Sequence, residues 1–149
     1  MKVTDTTAKS QTDSISFEFD LQHSPSKVWR ALTTPELLAE WLLPVVEGKL
    51  DLVPGAGFTF KTQPTPGWDG TVHCRVLESD PLKKLKYSWV VGDTLDVVVT
   101  FTLTPTGSGT LLSLVQSGFK EDQKRNFGGA RYGWRMMGEK LVELLERTQ

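Results

Sequence analysis

Histidine and cysteine are scarce: the 149 residues hold only His23, His73 and Cys74. A single cysteine excludes an internal disulfide and fits a reducing compartment. No HExxH, paired CxxC or zinc-like spacing occurs, so neither a metal nor a cofactor is expected. His73 and Cys74 are adjacent in a segment that alternates like a strand. Neighbours there point to opposite faces, so the two cannot pair with each other. Long hydrophobic runs are missing too, and nothing approaches the ~18 apolar residues of a membrane span. The polar start, MKVTDTTAKSQTDS, lacks the apolar centre of a secretory signal. A cytoplasmic protein is therefore expected. Excess charge of either sign is absent, since 17 basic and 18 acidic residues leave a net charge of −1. That removes the electrostatic case for nucleic acid or an anionic membrane as a partner. Lys83, Lys84 and Lys86 form a local cluster that reads as a solvated strand edge.

Catalytic signatures are equally thin. Ser117 is outside a GxSxG elbow. Pro54-Gly55-Ala56-Gly57 precedes a strand rather than a helix and lacks a following GK[ST], so it reads as a hairpin turn rather than a phosphate loop. Asp69, Asp93 and Asp96 sit in or beside turns, where aspartate commonly serves local hydrogen bonds. No catalytic residue is assigned.

What the chain does have is alternation, five tryptophans and one long amphipathic segment at its end. Residues 1–14 read as a disordered tail, and 15–149 as a single domain. Ile15, Phe17, Phe19 and Leu21 alternate with polar residues, the mark of a strand with one buried face. Ser24-Pro25 and Thr34-Pro35-Glu36 are two successive helix starts, and Pro44 ends the second helix. Neither short helix has a basic face of the kind that enters DNA. Candidate strands follow at Val45–Leu52, Phe58–Thr62 and Trp68–Leu77. Two more carry Leu85, Tyr87, Trp89 and Val91, then Leu95, Val97, Val99, Phe101 and Leu103. In the last strand Thr110, Leu112, Leu114 and Gln116 face inward. Tight loops between them predict antiparallel neighbours. From Gly128 to Gln149, Ala130, Trp134, Met137, Leu141 and Leu144 recur at helical spacing, over about 18–20 residues or roughly 30 Å. Such a stripe needs a sheet to cover it. The fold class is α+β: a curved antiparallel sheet of about seven strands around one long C-terminal helix, with two short helices after the first strand.

The large inward residues define a candidate site between sheet and helix. They are Trp41, Phe58, Phe60, Trp89, Phe101, Trp134, Met137 and Leu141, with Tyr87, His73, Gln116 and Arg75 as candidate polar groups. Pockets are commonly apolar with a few placed polar groups, and tryptophan suits half-wet sites because its N–H seeks a partner. A filled core would use the same residues, so pattern alone leaves cavity and solid core both open.

The order of motifs resembles the family named for homologues of the activator of the heat-shock protein 90 ATPase, within the START-like (SRPBCC) superfamily. The resemblance is carried by Ser24-Pro25-Ser26-Lys27-Val28-Trp29-Arg30-Ala31-Leu32-Thr33-Thr34-Pro35-Glu36, Trp41, Gly57-Phe58 and Val76. It continues through Leu85-Lys86-Tyr87-Ser88-Trp89, Val99-Thr100-Phe101-Thr102-Leu103, Gly109-Thr110, Ser117-Gly118-Phe119 and Gly133-Trp134. It implies a helix-grip fold of seven antiparallel strands closing on the C-terminal helix over a cavity. It also implies a small apolar or aromatic molecule, or a lipid, as the partner. Some superfamily members are cyclases or hydrolases, which makes an enzyme in the same cavity an alternative. Stimulation of the heat-shock protein 90 ATPase is another. Where many relatives carry histidine before Ser-Gly-Phe, this chain has Gln116, which does not exchange protons near neutrality. A homodimer is compatible with all of these readings.

Overall fold

The computed structural model describes residues 2–8, 13–46 and 50–148. The chain runs β1 (Lys2–Asp5), β2 (Ser14–Leu21), α1 (Pro25–Thr33), α2 (Pro35–Trp41), β3 (Val45–Val46), β4 (Gly57–Lys61) and β5 (Thr71–Asp80). It continues through β6 (Lys84–Val91), β7 (Leu95–Pro105), β8 (Thr110–Ser117), a 3-10 turn at Glu121–Gln123 and α3 (Lys124–Arg147). The strands form one sheet in the order β1-β2-β8-β7-β6-β5-β4-β3, with every neighbouring pair antiparallel. Among the described residues the sheet has eight strands rather than seven.

The additional strand is β1, in the segment expected to be a disordered tail. Lys2–Asp5 pairs with Phe17–Asp20 of β2 at the sheet edge. Its sequence has one apolar residue, Val3, so it shows no period-two signal. Long-range contacts hold it instead. The Thr6 N–H donates to the Ser16 carbonyl at 2.8 Å, and Asp5 accepts from Arg131 Nε on α3 at 2.5 Å. Residues 1 and 9–12 of that expected tail lie outside the described residues. The candidate strand Val45–Leu52 shortens to Val45–Val46; 47–49 lie outside the described residues, and 50–52 are not strand. The lysines expected at a sheet edge belong instead to β6 and the turn before it, and β6 is an interior strand. Lys84 there pairs with Glu78 across to β5 at 3.2 Å.

Alternation places the core as expected. Ile15, Phe17, Phe19 and Leu21 of β2 are buried, as are Val97, Val99, Phe101 and Leu103 of β7 and Leu112 and Leu114 of β8. Each such side chain contributes about 1.5–3 kcal/mol on leaving water. The helices start as read: the Ser24 hydroxyl accepts from the Lys27 N–H at 3.2 Å, and Pro25 and Pro35 occupy first-turn positions.

α3 is longer than its apolar stripe suggested, with 24 residues. Its first turn is anchored ahead of the glycine pair. The Phe127 ring meets Phe119 edge-on at 5.3 Å. The Gln123 side chain accepts from the Lys120 N–H at 2.8 Å and donates to the Thr94 carbonyl at 2.5 Å. At the other end Lys27 of α1 donates to the carbonyls of Leu145 and Thr148, at 2.6 and 2.5 Å. A cation there satisfies orphan carbonyls and meets the negative end of the helix dipole. In the middle, Gly138 lies against the sheet: a Cβ built on it would sit 2.5 Å from Phe19 Cε1 and 3.2 Å from Val3 Cγ1.

That contact separates the helix glycines into two kinds. Gly138→Ala should destabilise the protein by about 1 kcal/mol, because overpacking against the buried Phe19 ring exceeds the helix-propensity gain of about 1 kcal/mol. A Cβ on Gly128 would meet nothing within 4 Å, so Gly128→Ala should stabilise by about 0.5–1 kcal/mol. Urea denaturation of both variants checks the pair. Equal shifts would show that the Phe19 contact does not constrain the helix.

Two titrating groups at the helix supports set separate pH windows. Burial and the Lys27 ammonium, 3.2 Å from His23 Nδ1, push His23 below its ordinary value, against a smaller opposing pull from Glu146. Nε2 is buried and has no hydrogen-bond partner among the described residues. The unfolded chain therefore binds this proton more readily. Stability is full above about pH 6.5 and should be lost as pH falls through the folded value. For Asp5, desolvation pulls upward, but hydrogen bonds from Arg131 and Thr7 outweigh it and hold the carboxyl below its ordinary value. Its share should persist to about pH 4 and disappear below. Melting profiles of His23→Gln and Asp5→Asn should each flatten only their own window.

Candidate functional site

α3 crosses the inward face of the sheet, and the space between them is filled at one end only. The filled part is an aromatic layer. Phe58 meets Tyr87 at 5.1 Å, Phe60 meets Trp89 at 5.6 Å, and Tyr87 meets Phe101 at 6.2 Å. Trp41 closes edge-on against Phe101 at 6.3 Å, and its indole N–H donates to the Ala31 carbonyl at 2.9 Å. Phe101 in turn meets Trp134 edge-on at 6.1 Å. Beyond Trp134 the packing stops and a cavity of about 480 Å³ opens.

Four elements and two loops build its wall. The stretch of α3 from Asn126 to Met137 contributes Asn126, Gly129, Ala130, Gly133, Trp134 and Met137. These positions share one helix face by their spacing of three and four. The sheet contributes Trp89, Leu95 and Gln116 from β6, β7 and β8. Leu43 follows α2, and Trp68 stands on the β4–β5 connection. That loop folds back through paired backbone bonds between Thr65 and Trp68, and the Trp68 indole N–H donates to the Thr71 carbonyl at 3.0 Å. The cavity exists because Gly129, Ala130 and Gly133 put almost no side chain where α3 faces the sheet.

Across the back wall, Trp134 Nε1–H donates to Gln116 Oε1 at 2.8 Å, and both side chains are buried. The rings of Trp89 and Trp134 lie 6.0 Å apart. Among the described residues, no charged side chain lines the space. The nearby titratable groups are silenced by burial, which pushes both the Cys74 thiol and the Tyr87 phenol well up. Cys74 therefore stays a thiol and is not an activated nucleophile. Among the described residues, no group of three or more His, Cys, Asp and Glu could hold a metal ion. The wall can bury an apolar surface and offer amide and indole hydrogen bonds. Among the described residues it presents no acid or base.

Of the residues expected at the site, Trp89, Gln116, Trp134 and Met137 line the cavity. Trp41, Phe58, Phe60, Tyr87, Phe101 and Leu141 are buried in the filled layer and core behind it. His73 is elsewhere: it is exposed on the outer face of β5, opposite Thr59 and Val90, while Val72 and Cys74 point inward. Strand alternation requires that placement once its neighbours are buried. Arg75 is likewise on the outer face, where it donates to the Gly55 carbonyl at 2.7 Å. Leu43, Trp68, Leu95, Asn126, Gly129 and Gly133 were not foreseen. A signal existed for three of them, because Asn126, Gly129, Gly133 and Met137 continue one helix face.

This architecture and its sequence have relatives. The family model described as "Activator of Hsp90 ATPase homolog 1-like protein" matches residues 22–146. The chain belongs to this family. Protein MLL2253 from Mesorhizobium loti is 42% identical, with a TM-score of 0.82 over 91% of this chain and 98% of that one. Protein CV1439 from Chromobacterium violaceum is 26% identical, with a TM-score of 0.74 over 91% and 99%. CalU16 from Micromonospora echinospora shares the fold at 23% identity, with a TM-score of 0.73 over 98% and 85%. No curated protein matches. The fold is thus the START-like helix grip that the sequence order implied. Among the described residues, no helix is long and apolar enough to cross a membrane.

The Trp134–Gln116 bond should behave as a coupled pair. Trp134→Phe removes the donor and leaves a buried carbonyl unpaired, at a cost of about 1–2 kcal/mol. In a Gln116→Leu background the same change should cost markedly less, giving a coupling of about 1 kcal/mol in a double-mutant cycle. Additive costs would mean the bond contributes nothing.

Proposed function

We propose that this chain is a small-molecule-binding protein that holds an apolar or aromatic ligand between the sheet and the N-terminal half of α3. The observation that supports this reading best is the cavity of about 480 Å³ walled by Trp68, Trp89, Trp134 and Met137. Its volume falls in the range of about 300–1,000 Å³ common for ligand sites. A chain selected only for a packed core would gain stability from larger residues at Ala130 and Gly133, because unfilled space forfeits dispersion contacts. Catalysis of cyclase or hydrolase type in the same cavity would have to rest on positioning, as its lining carries no titratable side chain among the described residues.

Native mass spectrometry of gently purified protein, repeated after denaturation, tests the reading. The expected result is a reproducible excess mass that disappears on denaturation. Met137→Trp should fill the cavity, abolish the excess mass and leave the melting temperature within a few degrees of the parent. Retention of the excess mass in that variant would place the ligand elsewhere.

A further inference from the structure

Gln116 is 2% exposed, yet among the described residues only its amide oxygen has a side-chain hydrogen-bond partner. It sits on β8 between Ile15 of β2 and Val99 of β7, an apolar setting in which an amide needs partners on both ends. The indole N–H of Trp134 can only donate, so the atom 2.8 Å away must be the amide oxygen. That assignment fixes which way the amide faces. Its NH2 group donates to none of the described residues, and Gln116 lines the cavity. Trp89 and Asn126, both half-buried, are the other lining residues with N–H groups to offer; the Trp68 and Trp134 indoles are already committed.

We infer that Gln116 is the specificity-determining residue of the cavity, and that it selects a neutral, largely aromatic ligand bearing a carbonyl-type acceptor. This rests on the reading of the cavity as a ligand site. A ligand without an acceptor would bury the amide NH2 unpaired, which weakens binding by the cost of a missing hydrogen bond. A carboxylate would supply the acceptor but bring a full charge against a wall with no cation among the described residues, and that desolvation is not offset. The site therefore discriminates on both sides, against hydrocarbons and against anions such as fatty acids. Trp134 acts on this through Gln116: by occupying the oxygen it turns the donor end toward the ligand and is a positioning residue.

Three probes of matched shape test this by quenching of tryptophan fluorescence at pH 7.5: 2-acetylnaphthalene, 2-isopropenylnaphthalene and 2-naphthoate. The parent protein should bind the ketone about tenfold more tightly than the isopropenyl isostere and should bind the carboxylate most weakly of the three. Gln116→Met should reduce the ketone preference to below about twofold, mainly by weakening the ketone. Equal affinity of the parent for ketone and isostere, or tight binding of 2-naphthoate, would overturn the inference while leaving the cavity as a binding site. Failure of all three probes to bind the folded parent would remove the underlying reading as well. The parent's ranking decides the question even if Gln116→Met does not fold.

Discussion

The approach of α3 to the sheet at Gly138 constrains the rest of the molecule. With no Cβ there, the helix can lie directly on Phe19, whose ring is itself stacked on Phe17 at 6.3 Å. A straight helix fixed at that point must leave a gap over a curved sheet somewhere else, and the residues along it decide whether the gap is filled. Toward the C-terminus Leu141, Leu144 and Leu145 fill it and are buried. Toward the N-terminus Gly133, Ala130 and Gly129 do not. The same helix is therefore a core element over its second half and a cavity wall over its first.

A helix carrying four glycines would fray if propensity alone held it, since each costs about 1 kcal/mol relative to alanine. Here the ends are tied to different parts of the fold. Gln123 and Phe127 bind the start to the β6–β7 hairpin and to Phe119. Lys27 caps the end from α1. Asp5 on the edge strand reaches Arg131 at 2.5 Å and Arg135 at 3.7 Å, which brings β1 onto the middle of the helix. Exposed ion pairs alone contribute little, but the Asp5 side chain is 10% exposed and holds the one element that alternation could not foretell. Tertiary contacts thus replace local propensity along the cavity wall.

How much of this was readable in advance follows from what each signal measures. Period-two alternation reports which face of a strand leaves water, so the inward faces of β2, β6, β7 and β8 were legible residue by residue. It is silent about β1, whose Lys2, Thr4 and Asp5 are held by pairing and by one carboxylate rather than by an apolar face. The same rule, applied strictly, also places His73 outside, because Val72 and Cys74 both face in. Cavity and core could not be told apart from the sequence, since Tyr87 and Trp89 share a strand face and differ only in what stands opposite. Phe58, Phe60 and Phe101 oppose Tyr87, whereas Trp89 looks partly toward small residues on α3. Large residues are conspicuous in a sequence; the glycines that make the space are not.

Gln116 belongs both to the packing of α3 on the sheet and to the wall of the cavity. A buried amide in an apolar sheet is a liability unless both of its ends are satisfied. Trp134 satisfies the acceptor and in doing so pins α3 to β8 across the back of the cavity. The donor end has no partner among the described residues, and Gln116 lines the cavity. A fully apolar residue here would have avoided that liability, and a histidine would have introduced a proton that exchanges near neutral pH. An amide does neither: it keeps a fixed donor at all physiological pH values, in a wall that is otherwise mostly apolar. One hydrogen bond therefore both holds α3 to β8 and fixes which end of the Gln116 amide is left without a protein partner among the described residues.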